Sequence, residues 1–84
     1  MTTAKESGNR RVNVSTPQLR AARAFLGWTA GEMERRSKVH RHTVRKIERG
    51  LIDKPQRGTL ARIIGALERA GVEFLEDGGV RLKP

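Results

Sequence analysis

The stretch VHRHTVRKIERG, residues 39–50, carries the pattern that decides the fold. Val44 and Ile47 are apolar and three positions apart, so a helix over this stretch places both on one face. Gly50 follows the last periodic residue, where a left-handed residue ends many helices. At about 100° per residue, the opposite face of the helix carries His42, Arg45, Lys46 and Arg49. The stretch therefore predicts a short helix with apolar anchors and a cationic outer face.

A second short helical pattern lies just before this one, over residues 30–37. Two short helices joined by so tight a turn, the second of them basic, are typical of a helix-turn-helix. For the basic helix taken alone, the alternative is a cationic face that is merely solvated.

The charge of the chain is concentrated in this region. The chain has 84 residues and a net charge of +9. Residues 35–57 contain nine Lys or Arg against two Asp or Glu, whereas residues 59–84 contain four of each kind. A localised basic surface of this kind indicates a polyanion partner, and double-stranded DNA is the partner we expect.

Composition narrows the class of protein. A chain of this length predicts a single domain. It contains no Cys, which excludes disulfides and thiolate zinc sites, and we expect no metal and no cofactor. No apolar run approaches the roughly 18 residues of a membrane span, and the N-terminus lacks the apolar segment of a signal peptide. We therefore expect a cytoplasmic, nucleoid-associated protein without membrane contact.

The chain divides into three predicted segments. Residues 1–14 are polar and aperiodic and predict a disordered arm, whose basic side chains could touch DNA. Residues 15–71 predict the helices of a DNA-binding domain. Their predicted N-caps are Thr16 for the first helix, Thr29 for the second, in a capping box with Glu32, and Thr59 for the fourth. The apolar positions that predict the core of the first and fourth helices are Leu19, Ala22, Leu26, Leu60, Ile63, Ile64 and Leu67. Trp28 is predicted to pack into the core as well.

Residues 72–84 change to a period of two and predict a β-hairpin, with the Asp77-Gly78-Gly79 sequence in its loop. An isolated hairpin is marginal in water, so this one must pack on the helices or add strands from a second copy. We predict that it is a dimerisation element. The predicted interface residues are Val72, Phe74, Val80 and Leu82. The alternative is that the hairpin only caps its own core.

Four short blocks within residues 16–71 resemble a known family. They are Leu19-Arg20-x-x-Arg23, Leu26-Gly27-Trp28-Thr29, Glu32-Met33 and Thr43-Val44-x-x-Ile47-Glu48-x-Gly50. The family is the Cro/C1-type, or XRE-like, helix-turn-helix family. The resemblance implies an all-α, lambda-repressor-like bundle of four or five helices, here followed by the hairpin, whose third helix enters the major groove. It also implies that Arg23 pairs with Glu48, and a carboxylate on the inward edge of a helix needs such a partner.

Three residues depart from the family pattern. Ala30 stands where the family often has a Gln that reaches a phosphate. Glu34 stands where a small Ala usually lets the two helices approach, and its carboxylate could turn outward toward Arg35, Lys38 or Arg41. Lys38 also replaces the Gly of the turn.

Position in the motif assigns the predicted DNA contacts. Arg forks to guanine O6 and N7, and Lys can donate to the same atoms. The resemblance implies base contacts by Arg41, His42 and Arg45, with Lys46 next. The predicted phosphate contacts are Thr29, Thr43, Arg49, Lys54 and Arg57.

These observations predict a sequence-specific transcriptional regulator, expected to be a repressor, that binds an inverted-repeat operator as a dimer. Its small size suits a mobile genetic element, by analogy. The alternative is an antitoxin that binds DNA and a partner toxin. A nuclease using His40 and His42 is disfavoured, because residues two apart on a helix point in different directions and no carboxylate cluster accompanies them. RNA binding is disfavoured because no aromatic stacking platform is visible.

Overall fold

The computed structural model describes residues 14–52 and 54–84. Within these residues the chain forms four helices followed by one antiparallel hairpin. The elements are α1 (Thr16–Leu26), α2 (Ala30–Ser37), α3 (Arg41–Glu48), α4 (Arg57–Arg69), β1 (Val72–Phe74) and β2 (Val80–Leu82). The predicted helical bundle with a C-terminal hairpin is confirmed. The predicted arm lies outside the described residues except for Val14, which packs against the core and so belongs to the folded part.

The first helix begins one residue earlier than predicted. Ser15, not Thr16, is its N-cap: the Ser15 hydroxyl accepts a hydrogen bond from the Gln18 backbone N–H at 3.3 Å, and Gln18 Oε1 accepts one from the Ser15 N–H at 2.9 Å. This reciprocal pair is a capping box. At the other end, Gly27 has a φ of 68°, which glycine adopts without a steric cost, so the helix stops where the sequence predicted.

The second helix begins as predicted, because the Thr29 hydroxyl accepts a hydrogen bond from the Glu32 backbone N–H at 3.1 Å. The Glu32 carboxylate, however, binds Arg35 and Arg36 rather than closing the predicted capping box. The turn into α3 places Lys38 at a φ of 64°. A left-handed conformation costs a non-glycine residue roughly 1–2 kcal/mol, which explains why the family prefers Gly at this position.

The fourth helix also starts earlier than predicted. Its N-cap is Gln56, without a side-chain cap hydrogen bond, and Thr59 lies inside the first turn. The Gln56 carbonyl accepts the first intrahelical bond from the Leu60 N–H at 3.0 Å. The prediction that Thr59 is the N-cap of α4 was wrong, because the helix already begins at Arg57.

One hydrophobic core joins all four helices to the first strand. Its fully buried members are Leu19, Ala22, Met33, Val39, Val44, Ile47, Ile63, Ile64, Ala66, Leu67 and Val72. Leu26, Leu60 and Trp28 are partly buried and pack against it, as predicted. The outer face of the Trp28 ring is covered by the Arg36 guanidinium, whose Cζ lies 4.9 Å from the ring centroid. Such a cation–π contact is worth about 0.5–1 kcal/mol at an exposed site.

The hairpin packs on its own helices. Its register pairs Val72 with Leu82 and Phe74 with Val80. Val72 is completely buried in the core of its own chain. Gln18, itself buried, donates from Nε2 to the carbonyls of Leu75 at 2.9 Å and Gly79 at 3.0 Å, and so ties the hairpin loop to the start of α1. The hairpin is therefore part of the monomer fold, whatever else it contacts.

Candidate nucleic-acid interface

The surface on which the predicted base contacts lie is the outer face of α3. Val44 and Ile47 are buried and anchor the helix to the core. The side chains that face solvent are Arg41, His42, Arg45, Lys46 and Arg49. The four predicted base-contacting residues therefore lie on the exposed side of α3, and Arg49 follows them at the C-cap.

The angle of α3 is fixed by an ion pair with α1. Arg23 donates from Nε to Glu48 Oε2 at 2.8 Å and from Nη2 to Glu48 Oε1 at 2.9 Å. The hydrogen bond that Arg23 donates to the Glu48 carboxylate raises the pKa of the Arg23 guanidinium. Arg23 also donates to the Trp28 carbonyl at 2.6 Å, and Arg20 donates to the Glu48 backbone carbonyl. Two arginines of α1 therefore hold the last turn of α3, and sequence reasoning had assigned no role to Arg20.

The N-terminus of α3 is capped by the His40 side chain. The His42 backbone N–H donates to Nδ1 of His40 at 3.1 Å, so His40 is the N-cap. The two imidazole rings are stacked with centroids 5.0 Å apart. Within residues 14–52 and 54–84, no group of three or more potential ligands is placed to hold a metal ion. His40 therefore caps the start of α3, and the His42 ring stacks on it.

Arg41 is held by a carboxylate. Its Nε donates to Glu34 Oε1 at 2.8 Å, so that of the three alternatives left open by the sequence, Glu34 turns toward Arg41. The hydrogen bond from Arg41 is the main cause that holds the pKa of the Glu34 carboxyl below its ordinary value of 4.5. The carboxylate is thus ionised at neutral pH and restrains one predicted base contact.

The predicted phosphate contacts lie on several elements of the fold. Thr29 is exposed at the N-terminus of α2, and Arg49 is exposed just after α3. Lys54 is exposed in the loop before α4, and Arg57 is exposed at the first position of α4. Thr43 is half-buried and is the least accessible of the five. The Thr29 hydroxyl accepts the Glu32 N–H as a helix cap, which leaves its own hydrogen free to donate to a phosphate oxygen.

A second group of cations combines two residues of the basic region with two arginines that the sequence analysis did not place there. A cavity of about 430 Å³ between α2 and α4 is lined by Arg36, Ser37, Lys38, Arg62 and Arg69. Counting charge along the chain placed Arg62 and Arg69 in the neutral C-terminal part. Their spacing of seven on one helix was the available signal, since it puts them on the same side of α4.

Comparison with known proteins agrees with this geometry. A family model described as a helix-turn-helix domain matches residues 17–76. The chain belongs to this helix-turn-helix family. The match runs from α1 through β1, which is most of the described structure. No curated protein matches the chain. Family membership indicates a DNA-binding domain with a role in transcription regulation. Of the helices in the described residues, none is both long and apolar enough for a bilayer crossing.

Proposed function

We propose that this protein is a sequence-specific transcriptional regulator that inserts α3 into the DNA major groove and represses transcription from an inverted-repeat operator. The single observation that carries the proposal is the exposed cationic face of α3. That face is fixed from below by Val44 and Ile47 and at its end by the bond of Arg23 to Glu48. An α-helix with its side chains is about 10–12 Å in diameter, which matches the width of the major groove, about 12 Å.

Base reading is assigned to four side chains of α3: Arg41, His42, Arg45 and Lys46. Arginine forks to guanine, and each good bidentate contact is worth about 1–3 kcal/mol of discrimination. Thr29, Thr43, Arg49, Lys54 and Arg57 are assigned to phosphates, where they fix register without reading sequence.

The experiment that tests this proposal compares Arg45→Ala with Arg62→Ala on a duplex selected from a random pool. Both variants lose one exposed arginine, but only Arg45 lies on α3. Arg45→Ala is expected to lose the preference for the selected duplex over scrambled competitor by about ten-fold or more, whereas Arg62→Ala keeps it. Equal preference in wild type and Arg45→Ala would refute the assignment of base reading to α3.

A homodimer is proposed because one helix covers only about one half-site, and two-fold helix-turn-helix dimers read half-sites one turn apart. Leu82 supports the hairpin as the interface, since it is 46% exposed at the end of β2. Phe74 and Val80 are half-buried against their own core, and fully buried Val72 no longer belongs to the proposed surface. Deleting the hairpin would open the core, so a substitution at Leu82 is the sharper test.

The oligomeric state of Leu82→Glu therefore decides the interface. Phe25 provides the matched control, because it is also a large exposed apolar side chain, 55% exposed, but lies on α1. Light scattering is expected to find wild type and Phe25→Glu as dimers and Leu82→Glu as a monomer. A Leu82→Glu dimer would remove the hairpin from the interface.

An antitoxin that also holds a partner protein is the second candidate. Phe25 and Leu51, the latter 64% exposed, supply apolar surface outside the hairpin. Such patches mark protein interfaces when they are contiguous. Co-expression with the product of the neighbouring gene tests it: a stoichiometric complex that Leu51→Ser weakens supports the partner, and independent elution of the two proteins contradicts it.

A further inference from the structure

The start of α3 contains a positioned arginine. Arg41 is the first residue of α3, and Glu34 lies on the facing side of α2. Glu34 accepts the Nε hydrogen of Arg41 at 2.8 Å. About half of the Arg41 side chain is exposed, whereas Glu34 is half-buried between the two helices. The carboxylate therefore restrains the guanidinium through Nε, while about half of the side chain stays exposed.

Gly31 supplies a second restraint. A Cβ atom added to Gly31 would lie 3.4 Å from each of Cζ, Nη1 and Nη2 of Arg41. Three equal distances mean that the flat face of the guanidinium rests over the backbone of α2. Gly31 and Glu34 are three positions apart and so lie on the same face of that helix. Packing fixes the plane of the group, and the hydrogen bond fixes its rotation within the plane.

The Nη1 and Nη2 groups of Arg41 are the pair of donors with which an arginine contacts guanine. Arginine has five N–H donors, and the Nε donor is the one used by Glu34. Within residues 14–52 and 54–84, Nη1 and Nη2 make no hydrogen bond. Two parallel N–H groups at that end match O6 and N7 of guanine. A side chain already held in place loses less conformational entropy when it binds.

We propose that Glu34 is a specificity-determining positioning residue, which holds Arg41 so that its two Nη groups read one guanine of the half-site. The proposal rests on the proposed function. It also has a distinctive signature, because a carboxylate close to phosphates weakens binding to every duplex. Removing the charge of Glu34 lowers discrimination at one base pair while affinity for unrelated DNA is unchanged or higher.

The test uses the full chain and a selected duplex. The base pair read by Arg41 is the one whose preference disappears in Arg41→Ala. At that position guanine is replaced by 7-deazaguanine, which lacks the N7 acceptor. Wild type is expected to bind guanine about ten-fold better than the analogue, and Glu34→Gln about two-fold better or less. Glu32→Gln is the matched control, since Glu32 is also an ion-paired carboxylate of α2 but binds Arg35 and Arg36; it keeps the wild-type ratio.

Arg41→Lys is the second arm, in case Glu34→Gln lowers stability. Lysine keeps the charge but offers no fork, so the ratio falls while the salt dependence of binding stays that of wild type. Wild-type discrimination in Glu34→Gln overturns the proposal. A higher ratio in Glu34→Gln also overturns it, because Glu34 would then withdraw Arg41 from the base. A protein without preference for any duplex refutes the proposed function itself, whereas a preference that depends on Arg45 and not on Arg41 refutes only this inference.

Discussion

Arg23→Ala is expected to be among the most damaging single substitutions in this protein. The Glu48 side chain is only 8% exposed, and both of its carboxylate oxygens accept hydrogen bonds from Arg23. Removing Arg23 leaves a buried carboxylate without its partner, which costs about 3–5 kcal/mol. A stable domain has a free energy of unfolding of about 5–15 kcal/mol in total, so this loss removes a large share of it.

Glu48→Ala is expected to lower the free energy of unfolding by less than Arg23→Ala does, and this difference between the two variants tests the reasoning. The Arg23 side chain is 27% exposed and keeps its bond to the Trp28 carbonyl, so water can solvate the guanidinium once the carboxylate is gone. The expected loss is about 1–3 kcal/mol, that of an ordinary hydrogen-bonded charge. The cost of the double variant Arg23→Ala with Glu48→Ala is expected to differ from the sum of the two single costs by about 0.5–3 kcal/mol, because the two residues are in contact.

Urea unfolding followed by Trp28 fluorescence measures all three variants, since Trp28 is the single Trp of the chain and packs on the core. For a domain of this size each kcal/mol lowers the melting temperature by about 4–8 °C, so Arg23→Ala should melt about 12 °C or more below wild type. The double replacement Arg23→Met with Glu48→Leu should regain part of the loss, because it buries no unpaired charge. Single-variant costs that add up to the cost of the double variant within about 0.5 kcal/mol would refute the reasoning.

Substitutions elsewhere in the protein are expected to lower or to raise its stability. Gln18→Ala leaves two hairpin carbonyls without their donor and should cost about 1–3 kcal/mol in urea unfolding, with faster amide exchange in the hairpin. Gly65→Ala, inside α4, should raise stability by about 0.5–1 kcal/mol, whereas Gly71→Ala, at a φ of 105°, should lower it. The hydrogen bond from Arg35, and next the one from Arg36, hold the pKa of the Glu32 carboxyl below 4.5. These ion pairs therefore stabilise the folded protein fully above pH 4.5, and this stabilisation is lost as the pH falls through the lowered pKa. The stability of Glu32→Gln should therefore depend less on pH in acid than that of wild type, and a carboxyl titration by NMR at or above 4.5 would contradict this.

The sequence by itself determined the parts of the molecule that depend on local pattern. The spacing of Val44 and Ile47 set the buried face of α3 and therefore its cationic outer face. The left-handed glycine at Gly27 ended α1, and the change from helical to alternating spacing at residue 72 predicted the hairpin. These features follow from three or four neighbouring residues, because helix periodicity and capping are local properties of the backbone.

The tertiary structure decided the contacts between elements that are far apart in the chain. Gln18 reads as an ordinary polar helix residue, yet it binds a carbonyl 57 positions away. Glu34 was open to three partners, and only the packing of α2 against α3 selects Arg41. Arg62 and Arg69 join Arg36 around one cavity because α4 crosses α2. Local pattern fixes which face of a helix is polar, but which polar groups meet depends on the angle and register at which whole elements pack.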